Sequence, residues 1–526
     1  MLHTKGRQTG RGVSNHAWMG YLIVGFLTSV YLFPFVRMVW GIGDEGVSLD
    51  GARRIVQGQL FARDFVEMIG PGAFWWPALF LKLFGVSIGA AHTLLLLTGI
   101  AIALLIFHLS RRIGGNSFLC AAFFTILAIP LWPGNSYHWD ATLFSLIAVV
   151  GLIEWQRSHG VWLLVASGLS AGATTLIIQH KGVLMVGAML LSIVIVERRR
   201  RKTGVAILLL SYGAVVASAI AFYAARGALP DLIATDYTWP RSHYLQVNAS
   251  PYGYFLGSML KGILGAHNPA GWILGCFLLL PLAIIFALPV LLIAAALLFR
   301  WRAFTPQVLP LWICGTALWI SEMHKPDVPH LIWGSPILLI LLWSFVRMSR
   351  WHRVIACCIV TASLGFATVR IFHPLQAHTR IESRNGTFWS TEPDNALAFI
   401  EAHTRPGDAV FIYPYYALYN FLSDTENPTR FDYFLYGYNT PQQFHEAVQA
   451  IEAKRVRYVL WSTPESLEGL SRSFPAYHPP PHDQQIIEPY LESHYRQIGV
   501  ENEFRILERN EHVERGGAAP EAMPGQ

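Results

Sequence analysis

Long uninterrupted apolar runs, not alternating amphipathic stretches, dominate the pattern of this chain. The first, Ala17 to Trp40, exceeds the roughly 20 residues an α-helix needs to cross a bilayer. It lacks a small-residue cleavage site and so reads as a retained signal anchor. Further runs at about residues 88–110, 116–132, 140–156, 161–178, 182–196, 204–224, 268–299, 305–320, 331–346 and 353–371 predict about eleven spans in a polytopic α-helical membrane protein. Arg111-Arg112, Arg157, the run Glu197 to Lys202, Arg300 with Arg302, and Arg347, Arg350 and Arg353 fall between alternate spans. The positive-inside rule makes those links cytoplasmic, together with the N-terminal tail that carries Lys5, Arg7 and Arg11. The expected location is a multi-pass one, in a bacterial inner membrane, with the chain beyond 372 outside the cytoplasm.

The polar stretches divide unequally. Residues 41–87 form a long first outer loop, in which Leu49, Ala52, Ile55, Val56 and Leu60 recur at helical spacing within Leu49 to Met68, the pattern of a helix lying in the interface. On that reading Arg53, Arg54 and Arg63 lie along lipid headgroups. Pro71-Gly72 breaks the chain, and Phe74 to Phe84 makes a second amphipathic piece too short to span. Residues 1–372 are therefore expected to form the membrane domain and 373–515 a small α/β domain, with a disordered Gly-Ala-Pro tail over 516–526. In the α/β part, 395–403 and 440–454 read as helices, and 409–413, 456–461 and 504–508 as strands. No Gly-rich phosphate loop follows either of the first two strands, so a nucleotide site is not expected. The aromatic stretch Tyr413 to Tyr419 reads first as packing against the membrane portion and second as a surface for sugar rings.

Composition agrees with the hydropathy. Hydrophobic residues make up 53% of the 526 and charged ones 14%, with a mean hydropathy of +0.38, which excludes an ordinary soluble domain. All five cysteines fall in expected spans, so no disulfide framework or zinc-finger spacing exists. The net charge of +6 comes mostly from cytoplasmic links, which fits anionic membrane lipid and not nucleic acid.

Candidate chemistry begins with Asp44-Glu45, placed where the first span leaves the membrane. A carboxylate whose pKa is raised by partial burial suits a general base for an acceptor hydroxyl, and Asp44 with Glu45 is the catalytic candidate. Charge developing on a leaving phosphate needs fixed cations or aimed donors. His138, His180-Lys181, and His324-Lys325-Pro326-Asp327 with His330 supply them from short outer links. A lysine on so brief a link is tolerated by snorkelling, which is the plain alternative for Lys181 and Lys325. The Arg63-Asp64 pair is a further candidate for orienting substrate. No metal ligands are assigned: the histidines read as packing residues ahead of ligands, and a divalent metal stays open as a cofactor.

An acidic pair after the first span, two juxtamembrane helices, the turn Gly70-Pro71-Gly72-Ala73-Phe74-Trp75-Trp76, a Leu83-Phe84-Gly85 ending and a span closing on Arg111-Arg112 together resemble the GT-C superfamily of membrane glycosyltransferases. The protein O-mannosyltransferases and lipid A aminoarabinose transferases are nearest in pattern. The resemblance implies an enzyme, inversion at the sugar, and transfer from a polyprenyl-phosphate-linked donor to a glycan, lipid or protein acceptor on the non-cytoplasmic face. It places the acceptor-side acid at Asp44. A catalytically silent assembly scaffold and a lipid or sugar transporter are the alternatives, and the absence of a repeat or of mid-membrane charges weighs against the transporter.

Overall fold

The computed structural model describes residues 17–41, 43–265, 268–299 and 304–510. The basic tail, Arg300 with Arg302, and the 516–526 segment lie outside the described residues. Apolar helices build most of it: α1 (Ala17–Val36), α4 (Ile88–Arg112), α5 (Ser117–Leu127), α6 (Tyr137–Ser158), α7 (Val161–Ile177), α8 (Gln179–Val196), α9 (Arg201–Ala225), α13 (Pro269–Leu298), α14 (Leu309–Ile320), α15 (Val328–Gly334), α16 (Pro336–Met348) and α17 (His352–Leu375). Between them lie α2 (Gly43–Val56) and α3 (Gly72–Phe84) in the first link, and α10 (Leu229–Ile233), α11 (Leu245–Asn248) and α12 (Tyr254–Leu264) in the second.

Every apolar run is helical, but the expected count of about eleven spans is not confirmed. Among the described residues six helices are long and apolar enough to cross a membrane, and a seventh if α15 and α16, bent by 71° at Ser335, count as one. The shortfall has local causes. α5 stops after 11 residues, α14 has 12 and α7 has 17, and α6 carries Asp140, Glu154 and Arg157.

Gly168, Gly172 and Gly182 are consistent in sequence with either close helix contact or a hollow, and the structure uses them for contact. A Cβ at Gly168 would overlap Ser211, one at Gly172 would meet Val215, and one at Gly182 would overlap the Thr175 backbone. The main core runs through the bundle around Trp139, Leu146, Met189, Leu288 and Trp333.

The C-terminal sheet domain opens with a hairpin, β1 (Thr379–Ser383) and β2 (Gly386–Ser390). Its four-stranded sheet has the order β3 (Val410–Tyr413), β4 (Tyr458–Ser462), β6 (Phe504–Arg509), β5 (Tyr495–Glu501). β3 and β4 are parallel and the other pairs antiparallel. The two parallel strands are buried along their whole length, which explains their unbroken apolar sequences. Helices α18 (Asn395–His403), α19 (Leu418–Ser423), α20 (Pro441–Ala453), α21 (Pro464–Ser473) and α22 (Ile487–His494) surround them.

The sheet domain sits on α2, which corrects the expectation of an interfacial helix. Arg53 and Arg54 do not reach lipid headgroups; they are 3% and 4% exposed. Asp50 Oδ1 accepts from Arg53 Nη2 at 2.6 Å and Asp50 Oδ2 from Arg54 Nε at 2.8 Å. The same guanidinium groups reach Asp424 at 3.1 Å and Asp432 at 3.0 Å, and donate to the carbonyls of Thr425 and Thr429 at 2.6 and 3.2 Å. Burial opposes ionisation of Asp50, yet its two arginines hold the carboxyl below the usual range. Their acidic partners lie some 370 residues away, so nothing near Arg53 in sequence announced them.

Candidate functional site

Gly43 and Gly46 bracket the Asp44-Glu45 pair and let the sheet domain close on the first turn of α2. A Cβ at Gly46 would strike the backbone of Leu418, and one at Gly43 would enter the Tyr415 ring. That close approach turns the two acids in opposite directions. Glu45 is fully buried and accepts from the backbone and side-chain nitrogens of Asn135 at 2.8 and 3.1 Å, with His92 Nε2 at 3.1 Å. It ties α2 to α4 and to the link before α6, and is not among the residues facing the cavity described next.

Asp44 lines a narrow cavity of about 60 Å³ between the helical bundle and the sheet domain. Val47 and Glu67 from the first link, Tyr137 and His138 from the start of α6, Tyr244 and Asn248 from the second link, and Lys325 and His330 complete the bundle side. Tyr433, Tyr438 and Phe474 come from the sheet domain. A larger groove of about 820 Å³, bordered by Gly20, Phe107, Arg111, Phe118, Arg347 and His352, has no carboxylate in its lining and so offers no comparable base.

The charges around the cavity alternate in sign. Burial raises the Asp44 carboxyl above its usual range, against the pull of Lys325 and His330, while Asp327 adds to the rise. Burial likewise lowers Lys325, and Asp327 and Asp44 oppose that shift. Lys325 Nζ lies 4.0 Å from Asp327 and 3.8 Å from the centroid of the Phe474 ring. Asp327 caps α15, accepting from His330 N at 3.0 Å, and bonds His330 Nδ1 at 2.6 Å. Although burial favours its neutral form, His330 and Lys325 hold the Asp327 carboxyl low. Glu67, 6% exposed, is pushed up to about 7 by burial, with bonds from Tyr438 and the Met68 amide pulling the other way. The Tyr438 hydroxyl meets Glu67, and its carbonyl accepts from Trp239 Nε1 at 2.8 Å, so that wall is held from two sides.

The remaining sequence candidates stand elsewhere. Lys181 is 1% exposed and pairs with Glu322, so its charge is already neutralised and it does not line the cavity. His180 bonds the Ser321 carbonyl at 3.0 Å, and His324 Nδ1 meets the same carbonyl at 2.9 Å. Arg63 pairs with Asp64 on the surface at 2.8 Å, away from the cavity. The Tyr413 to Tyr419 stretch packs within the domain and against α2, and contributes none of the cavity residues. His138, Glu322 and His330 bring donor atoms within 4.8 Å of one another, the one group of three such residues that could hold a metal among the described residues.

No family model matches the chain, and no curated protein sequence does. Its fold has solved counterparts. The crystal structure of ArnT from Cupriavidus metallidurans bound to undecaprenyl phosphate aligns over 94% of this chain and 98% of its own, at TM-score 0.55 and 12% identity. The oligosaccharyltransferase of Archaeoglobus fulgidus, in complex with Zn and sulfate, aligns over 92% of this chain and 73% of its own, at TM-score 0.50 and 12% identity. At these identities the likeness shows that the chain shares the fold of these two structures, and its own apolar helices are those of a multi-pass membrane protein.

Proposed function

We propose that the protein transfers a sugar from a polyprenyl-phosphate carrier to an acceptor hydroxyl on the non-cytoplasmic side of the membrane. The observation that carries this reading is the shared wall of one cavity: Asp44, a carboxylate raised by burial, together with Lys325, a buried cation, inside a GT-C fold. A carboxylate with a raised pKa accepts a proton more readily than an exposed aspartate does.

In the proposed reaction the acceptor oxygen attacks the anomeric carbon while Asp44 takes its proton. The bond from that carbon to the phosphate oxygen breaks, its electrons remain on the phosphate, and the configuration inverts in one displacement. Lys325 faces the charge that gathers on the departing lipid phosphate, in a site where water screens little. The free volume of about 60 Å³ is far smaller than a sugar requires. Entry therefore involves displacement of the wall formed by Tyr433, Tyr438 and Phe474. Glu45, on this reading, positions the turn that presents Asp44 and does not act on substrate.

The test is incubation of purified protein with a panel of polyprenyl-phosphate sugars, comparing native protein with Asp44→Asn. Native protein is expected to consume one donor, and the folded variant to lose at least a hundredfold of that rate, the scale of a general base. Equal consumption by both removes Asp44 from the mechanism. No consumption of any donor favours a catalytically silent scaffold.

A further inference from the structure

Buried donors in the cavity wall and just behind it have no use in the scheme above. His138 comes from the first turn of α6, Glu322 from the link after α14, and His330 from α15, and all three are buried. The Nδ1 atom of His138 and Oε2 of Glu322 make no hydrogen bond, while Oε1 of Glu322 faces the Lys181 ammonium. Yet Nδ1 of His138 lies 3.8 Å from Oε2 of Glu322. Two such groups facing each other without a shared proton are both left unsatisfied in a buried place. A cation between them would satisfy both.

The geometry points to a zinc-class divalent metal site formed by His138, Glu322 and His330. Asp327 engages Nδ1 of His330 at 2.6 Å, the outer-shell carboxylate contact that fixes an imidazole tautomer and leaves Nε2 as the ligating nitrogen. The ring of His138 is held in turn by stacking on Trp333, with centroids 4.0 Å apart and planes within 4°. Two imidazoles and one carboxylate suit zinc, and bonds of about 2.0–2.1 Å place tetrahedral ligands about 3.4 Å apart. Donors already within 4.8 Å of one another reach that spacing by small side-chain rotations. The Lys181 ammonium engages Oε1 of Glu322 and leaves Oε2 for the ion. Because His138 and His330 both border the cavity, the fourth position opens into it, as at catalytic rather than structural zinc sites. The open position faces the same space as Lys325, so an anionic oxygen there completes the coordination; that last step alone rests on the proposed function.

The rival account is that Lys181 and Glu322 form a complete pair and the histidines only pack against Trp333. Metal content distinguishes the two without reference to sugar transfer. Full-length protein in detergent is stripped with chelator, reloaded with zinc, freed of excess and measured by inductively coupled plasma mass spectrometry. About one zinc per chain is expected for native protein and for the distant control His108→Ala, and less than about a tenth for His138→Ala and His330→Ala. Asp327→Asn, which keeps all three ligands, is expected to weaken zinc about 10- to 100-fold. Monodispersity of each variant guards against misfolding, and cobalt in place of zinc gives native protein a visible ligand-field band that the histidine variants lack. Native protein that retains no zinc above a blank, or monodisperse histidine variants that retain the native amount, overturns the site.

Discussion

Arg54 is the residue whose removal tests how the sheet domain is held. Its side chain is 5% exposed and bridges Asp50 on its own helix to Asp432 of the sheet domain. Truncation to alanine leaves Asp432 with only Asn427, at 2.7 Å, and removes one of the two cations on Asp50. Breaking a buried pair from one side costs about 3–5 kcal/mol, whereas the exposed Arg63–Asp64 pair is screened by water and contributes far less. Arg54→Ala is therefore expected to destabilise the protein by several kcal/mol, and Arg63→Ala far less. Asp432→Asn should cost less than Arg54→Ala, because burial already pushes that carboxyl up to about 6 and the amide keeps its shape. Denaturant unfolding in micelles gives the energies, and limited proteolysis of residues beyond 378 reports release of the sheet domain. The double variant Arg54→Ala/Asp432→Ala should fall short of the sum of the singles by about 1–3 kcal/mol. A loss below about 1 kcal/mol for Arg54→Ala, with additive singles, would refute the network as the clamp.

Three further outcomes are expected. Gly46→Ala forces a methyl into the Leu418 backbone and should cost about 1–3 kcal/mol in unfolding experiments, while Gly89→Ala, with open space around it, should be neutral or slightly stabilising. Glu67 has a folded pKa of about 7 against an ordinary 4.5, so its neutral form is favoured by folding. Its stabilisation is complete below about pH 4.5 and is lost as pH rises through 7, on the order of 3 kcal/mol, and Glu67→Gln should flatten that slope in unfolding measured from pH 5 to 8. Lys325→Met should lower turnover of a polyprenyl-phosphate sugar by at least tenfold and move the Asp44 limb of the pH profile to higher pH, since in the proposed reaction it removes the charge facing the phosphate together with the cation that pulls the Asp44 carboxyl down; an unchanged rate would remove Lys325 from the site.

Hydropathy located the helices because apolar runs report burial in lipid or core directly. The count of about eleven spans is not confirmed, since α5, α7 and α14 have only 11, 17 and 12 residues. The helices at 395–403 and 441–453 were legible from periodicity, and β3, β4 and β6 from apolar runs. β5 was not, because its exposed edge alternates weakly. At the site, Asp44, His138, Lys325, Asp327 and His330 stood out as polar groups at span ends. Glu67, Tyr137, Tyr244, Tyr433, Tyr438 and Phe474 did not, because each becomes a wall residue only through contacts across distant parts of the chain. Asn248 had an ordinary loop context. Glu322 was hidden beside His324 and Lys325, and the pairing that absorbs Lys181 is invisible without coordinates.

The most direct measurement is a cryo-EM structure of the protein with undecaprenyl phosphate. The account predicts phosphate density in the cavity within about 3 Å of Lys325 Nζ, facing Asp44, with Phe474 displaced from its place over the lysine. Phosphate bound elsewhere, with Lys325 still covered by Phe474 and the cavity closed, would contradict it.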